Sequence, residues 1–444
     1  MFETIKNAFK VKEVRNKILM TILFVFIYRL GCFIPIPGLD IYGNIDLGDS
    51  YNLLSIMNAI TGSALAQGTL FAIGIGPYIN ASIIMQLLTV AIPALERMSK
   101  EGEDGKKKIE KITRWVTLVL AIVNAVGILL AFKNQSASIL NVNMISAQIT
   151  LPVWLLFVYA TIMLVGGSMI CMWIGERITE YGVSNGISML IFVGILSTAG
   201  SSLLNSFKLI GDNGWNPVGW ELMGFLIVVV AIFGFITWVD GAERKINVQY
   251  AKQIKGNKMY GGQSTYIPVK VNASGVLPLI FAFAIMSFPS MLISTFWSTT
   301  DFATWWSKYM TNAGGYWVGT TVYTVLLAVF IFVFSYFYSQ IQFNPIEISK
   351  NLQQNGGFVP GIRPGRETSE YLARVVSRIT LWGAVFLAFI ALVPNLIFGL
   401  VTTNSQLLNA FSATGMLIIV SVALEFDKSL ENQIMMRHYK GFLK

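Results

Sequence analysis

Ten apolar runs, each close to the length that crosses a lipid bilayer, constrain the fold of this chain more than any other feature. A helix needs about 20 predominantly apolar residues to cross a hydrocarbon core roughly 30 Å thick. Lipid offers the backbone no hydrogen bonds, so runs of this length predict membrane-spanning helices. The sequence therefore predicts an all-α integral membrane protein with ten transmembrane helices. The runs lie at residues 18–36, 70–95, 115–132, 151–174, 185–205, 220–239, 273–297, 317–342, 379–394 and 406–424.

The distribution of basic residues predicts the orientation of these helices. The segments before the first run, after the last run and between alternate runs together contain 28 Lys and Arg residues, whereas the opposite loops contain only Lys133, Lys208 and Lys308. Cytoplasmic segments of membrane proteins carry an excess of this kind. We therefore expect both termini in the cytoplasm. The same excess accounts for the net charge of +9 without any specific recognition of nucleic acid.

Ten helices divide into two halves of five. Because each half has an odd number of spans, the second half enters the membrane from the opposite side. Inverted repeats of this kind place their working site between the halves, near the bilayer midplane. We predict a central pore there. The predicted segments are a cytoplasmic N-terminal segment (1–17), an N-terminal half (18–205), an extracytoplasmic linker (206–219), a C-terminal half (220–424) with cytoplasmic loops at 240–272 and 343–378, and a cytoplasmic tail (425–444).

The stretch between the first two spans has a different character. Leu53–Gln67 is interrupted by polar residues, and a helix of that length reaches only about 22 Å at 1.5 Å per residue. Gly68 then ends it, and the second span follows with Gly74 and Gly76 near its start. Irregular backbone at membrane depth is tolerated only beside protein or water. The sequence therefore predicts a short half-helix that lies in or beside a cavity.

The chain lacks the residues from which most transport and catalytic sites are built. No apolar run has an acidic residue in its middle, the single histidine is His438, and Cys32 and Cys171 both lie in apolar stretches. Coupled carriers usually need intramembrane carboxylates or histidines, and hydrolytic triads need a histidine beside the nucleophile. We expect no enzymatic activity, no metal and no cofactor. A channel and an inverted-repeat small-molecule secondary transporter both remain compatible with these observations.

Two basic features each have two interpretations. Arg29 is the one basic residue inside a span, and it either contacts or guides a charged substrate or bonds to backbone carbonyls of neighbouring helices. The loop 343–371 is rich in Gly and Pro around Arg363 and Arg366. It is either a stiff docking site for an acidic or polar partner or simply part of the cytoplasmic excess of positive charge.

Four segments, spread over nearly the whole chain, are long and distinctive. They are FAIGIGPYINASIIMQLLTV (71–90), GERITEYGVSNGIS (175–188), QSTYIPVKVNASGVLPLIFA (263–282) and FNPIEISKNLQQNGGFVPGIRPGRET (343–368). These segments resemble the SecY family, the channel-forming subunits of the bacterial protein translocon. The resemblance implies a protein-conducting channel in the bacterial cell membrane, which moves unfolded polypeptides across and releases transmembrane segments into lipid through a lateral gate.

The resemblance also implies roles for particular residues. The segment 53–67 matches the plug that seals the resting channel, with Thr61-Gly62-Ser63 where a Gly-Gly pair is common. A ring of aliphatic side chains can block ions by dewetting and yield around an extended polypeptide. The matching plug residues are Leu53, Ile56, Met57, Ile60, Gly62 and Leu65, and the matching pore-ring residues are Ile75, Ile79, Ile187, Ile191, Ile280 and Ile418.

The resemblance also implies residues at the lateral gate and residues that bind partners in the cytoplasm. Gln86 and Asn124 are amides within the second and third spans, which border the lateral gate in this family, and we expect them either to hold that gate closed or to join helices elsewhere. The resemblance implies SecE and SecG as small membrane subunits, and the SecA motor ATPase or the ribosome as driving partners. The implied docking residues are Arg363, Arg366, Arg244 and Lys245, with lysine at the last position where arginine is more familiar.

Overall fold

The described N-terminal part of the chain is mostly helical. Each of the predicted spans 18–36, 70–95, 115–132, 151–174 and 185–205 overlaps one of its helices. The helices are α1 (Phe2–Lys10), α2 (Lys12–Gly31), α3 (Gly76–Ala91), α4 (Pro93–Lys100), α5 (Glu103–Gln135), α6 (Val153–Tyr181) and α7 (Gly186–Asn213). The computed structural model describes residues 2–37, 58, 61–135, 153–213, 218–250, 253–255, 258–260, 264–272, 275, 277–296, 300–311, 317–401 and 413–441.

The C-terminal part repeats this helical architecture and adds short strands. The helices are α8 (Val218–Asp240), α9 (Leu277–Phe296), α10 (Asp301–Tyr309), α11 (Trp317–Gln342), α12 (Pro345–Gln354), α13 (Arg366–Val401) and α14 (Ala413–Gly441). The strands are β1 (Glu243–Tyr250), β2 (Gln253–Lys255), β3 (Lys258–Tyr260), β4 (Ser264–Lys270) and β5 (Gly357–Phe358).

Length and hydropathy support a multi-pass membrane protein, although they do not by themselves count ten crossings. Among the described residues, six helices are long and apolar enough to cross a membrane. A seventh is added if α3 and α4, which meet at a bend of 100°, form one span. Pro93 begins α4 directly after extended backbone at Ile92, and this explains the bend because proline cannot continue the preceding helix.

Two predicted boundaries differ from the structure. The predicted linker 206–219 is shorter than expected, because α7 continues to Asn213 and α8 already begins at Val218. The predicted helix over 53–67 is wrong in its described C-terminal part, because 61–67 forms turns. Gly62 and Ser63 both have φ of +69°, a left-handed conformation that a right-handed helix cannot include.

The irregular segment from residue 61 to residue 75 bonds to protein on several sides. The N–H of Leu70 donates to the carbonyl of Ile34 at 2.9 Å, and the hydroxyl of Ser168 in α6 donates to the carbonyl of Gly74 at 3.0 Å. Leu65 and Thr69 are fully buried. A backbone without helical hydrogen bonds is stable at this depth because neighbouring segments supply the partners.

The two large loops that the sequence predicts to be cytoplasmic form a single folded unit, which we name the cytoplasmic unit after that prediction. Strand β1 pairs antiparallel with β4 from one loop and with β5 from the other, in the order β4-β1-β5. Alternate residues of β1 point inward, as the two-residue period of a strand requires. The helix α13 begins in this unit and continues into the predicted ninth span, so one rigid element connects them. The buried core of the unit consists of Ile246, Val248, Val269, Leu352, Val359, Leu372 and Val376.

The two ends of the described chain meet on the predicted cytoplasmic side. The amphipathic helix α1 packs against α14, and their contact encloses Ala8, Val14 and Leu430. The carbonyl of Val183, in the turn between α6 and α7, accepts hydrogen bonds from Ser429 Oγ at 2.5 Å and from the Gln433 side chain at 3.1 Å. These contacts join the N-terminal half to the last helix.

Candidate functional site

The six isoleucines predicted to form a ring belong to one hydrophobic cluster, although they come from four separate parts of the chain. Three of them are buried and three are half-buried. Their spacing along the chain follows from local structure, since residues one helical turn apart share a face. The buried members are Ile75, Ile191 and Ile418, and the half-buried members are Ile79, Ile187 and Ile280.

Each segment presents its isoleucines near a helix end or a break. Ile75 precedes the first residue of α3, and Ile79 lies one turn into that helix. Ile187 lies in the first turn of α7, and Ile280 in the first turn of α9. Helix starts from the N-terminal and the C-terminal parts of the chain therefore converge on one aliphatic cluster.

Helix α6 supports the cluster closely from behind. A Cβ added to Gly175 would lie 3.3 Å from Ile75 Cδ1 and 3.4 Å from Ile187 Cγ1. The first distance is tighter than ordinary van der Waals contact and the second lies at its limit, so a side chain at position 175 would displace Ile75 by a few tenths of an ångström. The cluster is therefore held by packing, and branched aliphatic side chains in such packing have few alternative rotamers.

The described end of the predicted plug is anchored by its own polar residues. The side-chain Oδ1 of Asn58 accepts a hydrogen bond from the N–H of Ala66 at 2.9 Å. The main-chain carbonyl of Asn58 accepts one from the N–H of Ser63 at 2.9 Å. Asparagine commonly stabilises turns through bonds of this kind. Leu65 is fully buried, and Gly62 lies against α7. The predicted plug residues Leu53, Ile56, Met57 and Ile60 lie outside the described residues.

Arg29 connects this segment to two helices. Its Nη2 donates to Ser197 Oγ in α7 at 2.5 Å, and its guanidinium lies 5.5 Å from the ring centroid of Phe33. Its Nη1 occupies the space where a side chain at Gly62 would lie, and that atom is buried without a hydrogen-bond partner among the described residues. The described bond goes to a hydroxyl and not to the backbone carbonyls that one interpretation expected.

The two amides predicted at the gate lie on α3 and α5, which are helices that pack along each other. Helix α9 contacts both of these helices. Asn124 in α5 is 6% exposed. The side-chain oxygen of Gln86 in α3 is buried and has no hydrogen-bond partner among the described residues. This oxygen therefore supplies no bond across the contact in this conformation.

The four predicted docking residues all lie on the cytoplasmic unit. Arg363 and Arg366 are exposed in the segment before α13, and Arg244 and Lys245 are exposed on β1. Lys245 lies 4.8 Å from the ring centroid of Tyr266 and 3.6 Å from Glu243, and Arg366 pairs with Glu370 at 2.9 Å. The sequence placed these residues on two loops. The pairing of β1 with β5 joins those two loops into one folded unit.

The backbone that carries Arg363 is held by specific bonds. The buried hydroxyl of Thr368 donates to the Arg363 carbonyl at 2.8 Å, and Ser349 donates to the Gly365 carbonyl at 2.6 Å. Gly361 and Gly365 have φ of +83° and +104°, where only glycine is comfortable. A tip fixed in this way presents its arginine at little cost in conformational entropy.

Three functional features were not expected from the sequence. One is the contact of Arg29 with Gly62, which the isolated charge at 29 and the glycine at 62 only hint at. The second is the joint sheet of the two loops. The third is α10, whose aromatic residues at helical spacing were a visible signal. Among the described residues, no group of three His, Cys, Asp or Glu side chains is placed to hold a metal ion.

A model of the SecY protein family matches residues 69–426, which is well over half of the chain. The chain belongs to the SecY family. The protein translocase subunit SecY of Thermotoga maritima is 40% identical over 453 residues, which cover 100% of this chain and 98% of that protein. The SecY subunit of Streptomyces coelicolor is also 40% identical over 453 residues, and the alignment covers 100% of both chains.

Solved structures of SecY and Sec61 channels share the fold. One is described as the structure of a protein conducting channel, with a TM-score of 0.67 and 19% identity, covering 94% of this chain and 92% of that chain. Another is Sec61 in a canine ribosome–channel complex from the endoplasmic reticulum, with a TM-score of 0.63, 18% identity and the same coverage. The comparisons give no support to the small-molecule carrier that the sequence left open.

Proposed function

We propose that this chain is the protein-conducting subunit of a bacterial Sec translocon, and that unfolded polypeptides cross the membrane through the ring of six isoleucines. The observation that carries the proposal is the convergence of these side chains, from both halves, into one aliphatic cluster. The plug is the segment around Gly62 and Leu65, which must leave its site before a chain can pass. The channel itself performs no catalysis and needs no cofactor.

The lateral gate in this proposal lies where α9 meets α3 and α5. Signal sequences and transmembrane segments leave through this contact into lipid. Gln86 has a buried oxygen without a partner, which costs on the order of 1–3 kcal/mol in the closed contact. A gate with such a cost opens more readily than a fully apolar one. The amide pair thus sets how hydrophobic a signal must be to open it.

The driving force comes from a partner that docks on the cytoplasmic unit. Four basic residues are exposed on this unit and suit acidic groups of the SecA motor or the phosphates of the ribosome: Arg363, Arg366, Arg244 and Lys245. Because α13 continues from this unit into the membrane, docking can move a channel helix directly. SecE and SecG complete the complex, and both termini face the cytoplasm of the bacterial cell membrane.

Crosslinking at one ring position tests the proposal. A photo-crosslinking amino acid is placed at Ile79, and a secretory precursor is stalled partway across the membrane. The same probe at Val230, which is 68% exposed on α8, serves as the matched control on a face turned away from the cluster. Crosslinks to the precursor from position 79 and not from position 230 support the channel. No crosslink from position 79 would refute it.

A further inference from the structure

Helix α10 (Asp301–Tyr309) separates its aromatic and polar residues onto opposite faces. At 100° per residue, Phe302, Trp305, Trp306 and Tyr309 fall within one narrow arc. Thr304, Ser307 and Lys308 lie on the other side. The helix begins at Thr300, whose hydroxyl accepts a hydrogen bond from the N–H of Ala303 at 3.4 Å.

The four rings of the aromatic arc contact one another, and two of them remain about half exposed. The rings of Phe302 and Trp305 stack with centroids 6.1 Å apart, and Trp305 lies 5.8 Å from Tyr309. Even so, Phe302 remains 52% exposed and Trp305 46% exposed. Aromatic side chains bury large areas, so leaving two of them in water on one face of a short helix is costly.

The helix is fixed to the outer ends of two spans. Trp306 Nε1 donates to Ser290 Oγ in α9 at 3.1 Å, and Ser290 Oγ itself donates to the Met286 carbonyl at 3.3 Å. At its other end, the carbonyl of Lys308 lies against Gly319 in α11, where no side chain would fit. These anchors hold α10 at the level where α9 and α11 emerge on the predicted extracytoplasmic side.

We propose that α10 lies in the boundary between headgroups and acyl chains of the outer leaflet, with Phe302 and Trp305 inserted in lipid. Tryptophan and tyrosine concentrate at this boundary in membrane proteins, and helices with one aromatic and one polar face lie in its plane. Trp306 bonds to Ser290, the residue that follows Pro289 in α9, so α10 holds the outer end of the gate helix α9 at a fixed depth. Opening of the proposed gate would then move α10 along the membrane surface.

Depth-dependent fluorescence quenching tests this placement without requiring translocation. An environment-sensitive fluorophore is attached to Phe302→Cys, and as the matched control to Thr304→Cys on the polar face, in protein reconstituted into phosphatidylcholine–phosphatidylglycerol vesicles. The native thiols of Cys32 and Cys171 are buried and react slowly. Opposite faces of a helix are about 10 Å apart, so bromines placed high on the acyl chains should quench the label at 302 several-fold more than the label at 304.

Aqueous iodide should quench the label at position 304 more strongly than the label at position 302. Equal quenching of both labels by bromolipid would overturn the proposal, as would a label at 302 that only iodide reaches. A label at 302 that neither quencher reaches would also overturn it, because protein and not lipid would then cover the face. If Phe302→Cys fails to accumulate in the membrane, Trp305→Cys on the same face replaces it, with the same outcomes.

Discussion

Substituting alanine at Gly62 should weaken the closed state of the proposed channel. Gly62 has φ of +69°, and a left-handed conformation costs a residue with a side chain about 1–2 kcal/mol. The new methyl group would also lie 3.2 Å from the Gly194 carbonyl and would displace the Arg29 guanidinium. The strain is relieved only when the segment leaves its site. Because 1.4 kcal/mol corresponds to a tenfold change in an equilibrium constant, the open fraction should rise by roughly 5- to 30-fold.

Gly356→Ala is the matched control for this substitution. Gly356 has the same φ of +69°, but it lies in the cytoplasmic unit with no atom within 4 Å of an added Cβ. The control carries the backbone strain without touching the channel. Ion conductance in planar bilayers, and export of a precursor with a weakened signal sequence, should rise for Gly62→Ala alone. Wild-type conductance and stringency in well-folded Gly62→Ala protein would refute the role of this contact.

Three further predictions concern the partner surface, the gate and stability. Arg363→Glu should abolish motor-driven export while the protein stays in the membrane, whereas Lys350→Glu, the same charge change on α12, should leave export intact. Precursor uptake into membrane vesicles measures this, and normal uptake by Arg363→Glu would exclude docking at Arg363. Gln86→Leu removes an unpaired buried oxygen, so it should stabilise the closed state of the gate relative to the open state by about 1–3 kcal/mol. Export of precursors with weak signal sequences should become slower, and unchanged or faster export would contradict this. Ser429→Ala combined with Gln433→Leu removes both donors to one buried carbonyl and should lower the unfolding temperature, with an unchanged melt as the opposing result.

Much of the helical architecture was predictable because the bilayer imposes a length on each span. The predicted span 317–342 coincides with α11, and 220–239 lies within α8. The predicted boundaries differ where helices continue past the membrane, as α5 does at its start at Glu103. Hydropathy cannot detect such extensions, since a polar helix and a polar loop have the same composition.

The ring could not have been found from the residues alone. An isoleucine in an apolar helix usually faces lipid or core, and only the family resemblance selected these six. The structure brings them into one cluster, but their role in conduction remains a prediction. The turn at Gly62 was missed for another reason. The left-handed backbone at Gly62 lies against Arg29 and against Gly194 of α7, and a local helix pattern does not contain these contacts.

The predicted docking residues show why long-range pairing cannot be predicted from this sequence. Arg244 and Arg363 are far apart in the chain, and the family resemblance implied a docking role for each without placing them on one folded unit. Their common unit depends on the pairing of Gln249 with Phe358, a short contact between two loops. Nothing in the composition of either loop predicts that register.

Crosslinking from four ring positions to one stalled precursor provides the most direct test of the claim that the isoleucines form a single constriction around the polypeptide. Photo-crosslinkers are placed singly at Ile79, Ile191, Ile280 and Ile418, and one precursor is stalled at one fixed length. If these side chains form a single constriction, all four positions should crosslink to the same short stretch of the precursor. Crosslinks to widely separated stretches, or crosslinks from only one helix, would show that the isoleucines do not surround the polypeptide.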